Sequence, residues 1–445
     1  MTATAASIRR TPLENWIAMR LAVSEAKLTR EAIADYQLQA IKNTVAMARA
    51  RSSFYARRLS TLPSDAPRSL GEVSQLPFTT AEDLAQHAPE FLCVSQDEIS
   101  RVVTLHSSGT TGAPKRLFFT ADDQELALDF FAKGVAAIAA PGERMLIALP
   151  GEREGSVGYQ LAKGIARAGV VAIPHGLSMD PEETLAHMER EEATCIIGLP
   201  VQMLALAWSE KGGANGFRRL RSIVLCSDHV AESLARTLRQ RSGAEIFEHY
   251  GMTEMGLGGG VDCEAHMGYH LREADLYFEI VDPETGELLP DGETGEIAFT
   301  TLNRTGMPLI RYRTGDLSRF LPGRCACGTM LKRLERIRNR IDGSIGLGQC
   351  GFNIGMLDEA LFTIHGLLDF SAAIYETVPR RLQLMVYAPG LAADRLEPTV
   401  RNAIRTIPGL HQSCSAGELQ LEVIHMTEPF PVTGAKRRIE AGAGQ

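Results

Sequence analysis

The chain has 445 residues, 44% of them hydrophobic and 22% charged, with a formal net charge of -8 and an isoelectric point near 5.8. That length exceeds one comfortable core, so two or more domains are expected. The acidic balance argues against a general nucleic-acid binder, which needs a basic face, and no run approaches the roughly 18 apolar residues of a membrane span.

Residues 1–10 lack an apolar core of signal-peptide length, so the expected location is cytoplasmic, with no membrane and no nucleic acid as partner. Residues 12–60 read as helical, with Ile33, Tyr36, Leu38, Ile41, Val45 and Met47 near helical spacing. From about 100 to 250, apolar runs at 102–105, 145–149, 170–173, 195–199 and 223–226 alternate with amphipathic segments at 123–139, 181–192 and 231–241. Buried strands alternating with helices predict an α/β fold whose large N-terminal domain has mostly parallel sheets flanked by helices. After 275 the texture becomes strand, turn, strand: 276–281, the turn Asp282-Pro283-Glu284-Thr285-Gly286-Glu287, then 295–301, an antiparallel β subdomain. From about 343 a loop with Gly343, Gly346, Gly348 and Gly351 leads to a helix at 356–364, strands at 371–375 and 382–387, a helix at 394–405 and a strand at 419–425. The expected domains are therefore 1–341, containing the β subdomain at about 262–338, and a small mobile α+β lid at 342–445.

Four segments carry chemistry. The first is His106-Ser107-Ser108-Gly109-Thr110-Thr111-Gly112-Ala113-Pro114-Lys115. Its glycines let the backbone approach a phosphate, its hydroxyls and N–H groups donate, and Lys115 adds charge. Its spacing is not that of P-loop nucleotidases. The others are Glu248-His249-Tyr250-Gly251-Met252-Thr253-Glu254, Pro308-Leu309-Ile310-Arg311-Tyr312-Arg313-Thr314-Gly315-Asp316-Leu317 and Pro431-Val432-Thr433-Gly434-Ala435-Lys436-Arg437-Arg438. Taken singly, Thr253-Glu254 reads as a helix cap, Asp316 as a turn residue and Lys436 as part of a solvated basic face.

In this order the four segments resemble the adenylate-forming, acyl-CoA synthetase-like superfamily, and within it the phenylacetate–CoA ligase branch, over roughly residues 40–440. The resemblance implies an AMP-forming acid–thiol ligase. It joins a small carboxylate, expected to be aromatic, to the α-phosphate of ATP and then to CoA, releasing pyrophosphate and AMP. It implies that Ser107, Ser108, Gly109, Thr110, Thr111, Gly112 and Lys115 hold the β- and γ-phosphates. Glu248, His249, Tyr250 and Gly251 would line the nucleotide, with Tyr250 stacking on adenine. Thr253 would donate to the α-phosphate, Glu254 would hold Mg²⁺, and Asp316 would accept the ribose hydroxyls. Lys436 would be the catalytic lysine, Arg340 a nucleotide contact, and Asp342 the hinge. A homodimer is common in the branch.

The chain departs from that pattern in two places. The hinge reads Asn339-Arg340-Ile341-Asp342-Gly343, and Cys226-Ser227-Asp228-His229 stands where the branch has Gly-Ala-Glu-Pro, beside the acyl pocket of relatives. The other readings are an adenylating enzyme that uses a different acceptor and a catalytically silent nucleotide-binding relative.

Cysteine gives a separate signal. Cys325-Ala326-Cys327-Gly328 is a Cys-x-Cys on a Pro/Gly turn, and with Cys263 and His270 it makes a tetrahedral zinc set of the structural kind, with His266 as competing ligand. The branch often carries Cys and His at these places. Cys93, Cys195, Cys226, Cys350 and Cys414 are scattered and read as packing residues. His249 also borders the expected acyl pocket, whose wall Gly256, Gly258, Gly259 and Gly260 would form from backbone.

Overall fold

A computed structural model describes residues 8–105, 114–178, 180–209, 215–347, 350–432 and 436–442. They fall into two compact units. Unit 1 comprises Met1–Pro141, Lys163–Gly169 and His249–Ile337; unit 2 comprises Gly142–Ala162, Val170–Glu248 and Arg338–Gln445. The expected lid, 342–445, thus lies inside unit 2. Among the described residues no helix is long and apolar enough to cross a membrane.

Unit 1 opens with helices Pro12–Arg20, Arg30–Arg51 and Ser53–Arg58 in place of one helical stretch. Hydroxyls set the breaks. Thr11 and Thr29 cap the first two helices, and Ser52 takes the N–H of Tyr55 while its own hydroxyl donates to Glu90 O at 2.7 Å. Strand Ile99–Leu105 pairs antiparallel with Lys115–Thr120 in a two-stranded ribbon, Leu105 opposite Lys115. The run 102–105 therefore does not join the parallel sheet. It alternates between covered and open faces, with Val102 52% exposed, and its partner follows close in sequence, so no crossover is needed. Strands Leu276–Val281, Gly295–Thr301 and Tyr312–Ser318 form the expected antiparallel unit. Short strands Gly260–Val261, Tyr269–Leu271 and Arg333–Leu334 extend antiparallel pairing from the end of strand Glu245–Tyr250.

Unit 2 contains the parallel sheet. Its order is Val171–Pro174, Arg144–Ile147, Cys195–Gly198, Ser222–Leu225, Glu245–Tyr250, every neighbour parallel. Helices Pro181–Arg190, Pro200–Trp208 and Glu232–Ser242 accompany it. The winding reverses at Arg144–Ile147, as in doubly wound α/β proteins. The C-terminal part has its own sheet, ordered Leu419–Met426, Arg380–Tyr387, Asp369–Tyr375, Ile439–Ala441. The last strand, which the sequence reading does not anticipate, adds parallel to Asp369–Tyr375. One apolar cluster runs through both parts, from Leu146, Ile196 and Ile246 to Phe352, Leu357 and Leu384.

Candidate functional site: two motifs laced through their carboxylates

Strand Glu245–Tyr250 ends at the second motif, and the chain turns sharply there. A Cβ at Gly251 would lie 2.0 Å from Leu257 O, so only glycine passes. A short 3₁₀ turn, Thr253–Met255, follows and places Glu254 inside, 3% exposed. The third motif lies on strand Tyr312–Ser318, whose alternate residues Tyr312, Thr314 and Asp316 point inward.

Two hydrogen bonds connect the motifs in opposite senses. The Tyr250 hydroxyl donates to Asp316 Oδ2 at 3.0 Å, and the Tyr312 hydroxyl donates to Glu254 Oε1 at 3.1 Å. Lys115, at the start of strand Lys115–Thr120, places Nζ 2.7 Å from the same Oε1. Arg304 Nη1 donates to the Glu254 carbonyl at 2.8 Å, its guanidinium over Phe119. Burial would raise the Glu254 carboxyl, but the Lys115 ammonium, the residue's own backbone N–H and the Tyr312 hydroxyl together outweigh it and hold the pKa below the usual value. Both side-chain contacts of Glu254 fall on Oε1. A buried carboxylate of this kind suits a hard cation. The Tyr250 ring stacks on Tyr269 at 5.8 Å.

Tyr250, Gly251, Thr253, Glu254, Asp316 and Lys115 are thus collected in unit 1, far apart in sequence. The Thr253 hydroxyl has no partner among the described residues. Residues 106–113, with Ser107, Ser108, Gly109, Thr110, Thr111 and Gly112, lie outside the described residues. Glu248 is buried at the edge of unit 2; Arg340 in strand Asn339–Arg340 and exposed Lys436 also belong to unit 2. Tyr312 and Arg304 are neighbours of Glu254 that the sequence reading missed. Tyr312 stood inside a quoted motif, but only the strand's alternation shows that it shares a face with Asp316.

His249 sits with its ring 6.2 Å from both Phe130 and Phe131. Its Nε2 is buried without a partner, and burial lowers the imidazole pKa to about 4. The ring is therefore neutral near pH 7.

The second cluster is also in unit 1. Cys263, His270, Cys325 and Cys327 are all buried, with donor atoms within 4.8 Å of one another. Cys263 Sγ lies 3.7 Å from Cys325 Sγ and 3.3 Å from His270 Nε2, which is 3.5 Å from Cys327 Sγ. Tetrahedral zinc with Zn–S near 2.3 Å needs sulfurs about 3.7 Å apart, so this donor set fits. His266 is not part of it: its Nδ1 pairs with Asp262 Oδ2 at 2.9 Å. Cys93, Cys195 and Cys226 are buried and unbridged, and Cys414 is half-buried.

The AMP-binding enzyme family matches residues 15–303. A phenylacetate-coenzyme A ligase of Thermus thermophilus is 32% identical over 322 residues, 71% of this chain and 72% of the relative. The Escherichia coli phenylacetate-coenzyme A ligase is 31% identical over 317 residues, 69% of this chain and 70% of the relative. In fold, the chain is similar to a 2-hydroxyisobutyryl-CoA ligase in the postadenylation state with an acyl-AMP. That match has a TM-score of 0.77 at 21% identity, covering 93% of this chain and 89% of the other.

Proposed function

The chain belongs to the AMP-binding enzyme family, and on that premise we propose that it is an ATP-dependent acid–CoA ligase of the phenylacetate–CoA ligase kind. A carboxylate oxygen attacks the α-phosphorus of ATP, pyrophosphate leaves, and the thiol of CoA then displaces AMP from the acyl-adenylate. Both reactants of the first step are anionic, so positioning and charge neutralisation supply most of the rate.

The observation that carries this reading is the pair of crossed phenol–carboxylate bonds, Tyr250 to Asp316 and Tyr312 to Glu254, with Lys115 on the same Glu254 oxygen. They bring the two carboxylates and the flanking ring of the nucleotide motifs into one wall. In our reading Asp316 accepts the ribose hydroxyls, Tyr250 flanks the adenine and the Thr253 hydroxyl donates to the α-phosphate. Glu254 would hold Mg²⁺, which would supply positive charge beside the phosphates. The loop with Ser107, Ser108, Gly109, Thr110, Thr111 and Gly112 grips the pyrophosphate side, Glu248 and Gly251 lie along the nucleotide, Arg340 contacts it, and Lys436 brings positive charge to the reacting oxygens. The acid in our reading is a small aromatic one, bordered by His249, whose ring lies beside Phe130 and Phe131.

A zinc ion on Cys263, His270, Cys325 and Cys327 would have four protein ligands and hence a structural role. It would tie the segment after Glu254 to the segment after Asp316. Cytoplasmic location and homodimer assembly remain part of the reading; sedimentation of the purified chain tests the second. The activity is tested by acid-dependent exchange of pyrophosphate into ATP, followed by AMP release with and without CoA over aryl, arylacetic and short-chain acids. Exchange without any CoA-dependent AMP release would replace the ligase with an adenylating enzyme that serves another acceptor.

A further inference from the structure

Arg437, next to Lys436, has surroundings unlike those of its neighbours. Lys436 is exposed and Arg438 reaches Glu440 at the surface, whereas the Arg437 guanidinium turns inward. Nη1 donates to Asp358 Oδ1 at 2.6 Å, Nη2 donates to Phe370 O at 2.9 Å, and Nη2 stands 3.5 Å from Asp369 Oδ1. The guanidinium lies 4.4 Å from the Phe370 ring centroid and 5.4 Å from that of Phe362. The main chain is held separately: the Arg437 N–H donates to Asp228 Oδ1 at 2.8 Å.

These contacts come from three places in unit 2. Asp358 is on helix Ile354–Leu361, Asp369 opens strand Asp369–Tyr375, and Asp228 lies just beyond strand Ser222–Leu225. Ser227, immediately before Asp228, has φ 74, a left-handed conformation that costs energy for a residue other than glycine and persists only where the surroundings enforce it. This is the turn Cys226-Ser227-Asp228-His229 that departs from the branch pattern. Beside it, His229 Nε2 lies 3.3 Å from Glu359 Oε1, and the Glu232 N–H donates to the same carboxylate. A guanidinium is withdrawn from water at low cost only when charges and acceptors replace the water. A surface-breaking basic run gains nothing from such a site unless the position of the chain matters.

We infer that Arg437 is a positioning residue for adenylation: its side chain, clamped by Asp358, Asp369 and the Phe370 carbonyl, and its N–H, held by Asp228, fix the backbone that presents Lys436. The inference rests on the ligase reading and assigns no contact between Arg437 and substrate. It also gives a pH signature. The charged groups facing Asp358 are Arg437, His229 and Asp228. Burial pushes the Asp358 carboxyl up to about 6 against the opposing pull of Arg437. Asp358 then carries its charge above that pH and loses it below, and burial raises the Asp228 and Asp369 carboxyls as well.

The test uses the full-length protein and an acid that supports pyrophosphate exchange. Arg437→Met should lower the exchange rate about a hundredfold, since small misplacement costs that much, with KM for ATP changed less than about threefold. Arg437→Lys should restore part of the rate. In a Lys436→Ala background, Arg437→Met should add less than about twofold, because it acts through the lysine. Asp358→Asn should remove the acid limb near pH 6. If Arg437→Met does not fold, Arg437→Lys and Asp228→Asn take its place in the same cycle. Effects of Arg437 and Lys436 that multiply independently, or wild-type exchange in a folded Arg437→Met variant, overturn the inference alone. Absence of exchange in the wild type with every acid overturns the ligase reading and this inference with it.

Discussion

Glu254 Oε1 receives both the Lys115 ammonium, at 2.7 Å, and the Tyr312 hydroxyl, at 3.1 Å, so one buried oxygen joins the strand that begins at Lys115 to the third motif. Replacing Glu254 by Gln leaves Lys115 facing a neutral amide. A partly buried ion pair broken on one side should cost on the order of 3 kcal/mol. The Glu254 pKa is depressed, so its contribution is present above the ordinary carboxyl value of 4.5 and is lost as pH falls through the lowered one. Urea unfolding at pH 7 and at pH 3 checks this: the gap between wild type and Glu254→Gln should be wide at pH 7 and should shrink at pH 3. Exchange should fall by about a hundredfold or more, as for loss of a group acting on developing charge.

The two phenols should not be equivalent. Asp316 is fully buried and takes a phenol at 3.0 Å, so Tyr250→Phe removes one donor from a buried carboxylate. Removing a partner from a buried charge costs about 1–3 kcal/mol. Tyr312→Phe leaves Glu254 its lysine and should cost about half as much. Thermal unfolding of the two variants, measured side by side without nucleotide, gives the order; equal shifts would contradict it.

The four-residue cysteine–histidine set predicts about one zinc per chain, retained through a mild chelator wash. Cys327→Ser should abolish it and lower the melting temperature, because the ion would fasten the segment carrying Cys263 and His270 to the turn carrying Cys325 and Cys327. His266→Ala should leave the zinc content unchanged, since its ring belongs to Asp262. Elemental analysis of the three proteins is the measurement.

What was legible in the sequence was local. Tyr250-Gly251, Thr253-Glu254 and Asp316 could be picked out because each sits in a short run whose chemistry is recognisable, and the strands at 145–149, 195–199 and 223–226 because buried parallel strands are nearly all apolar. What was missed depends on pairing across long separations. Tyr312 meets Glu254 over 58 residues and Arg437 meets Asp228 over 209. No periodicity encodes either contact. The division of 12–60 into three helices turns on single hydroxyl caps at Thr29 and Ser52, which the apolar spacing does not register. The run 102–105 was read as a sheet strand because four apolar or β-branched residues look alike in a ribbon and in a core.

His249 gives a prediction in which acid stability and substrate choice change together. Its pKa is lowered by burial to about 4 from an ordinary 6.5. A histidine depressed in this way binds fewer protons folded than unfolded between those values. Stability therefore rises with pH across that window, and the penalty appears as pH falls below 6.5. At pH 5 the linkage amounts to about 2 kcal/mol. His249→Leu keeps the apolar contacts with Phe130 and Phe131 and has no proton to bind, so its unfolding free energy should vary less between pH 7 and 5 than that of the wild type. If His249 also borders the acid, the same variant should shift relative kcat/KM away from ring-hydroxylated acids toward unsubstituted ones by about tenfold, the worth of one hydrogen bond to a neutral group. A flattened stability profile with an unchanged acid panel would make His249 a core residue only. A changed panel would place it against the substrate.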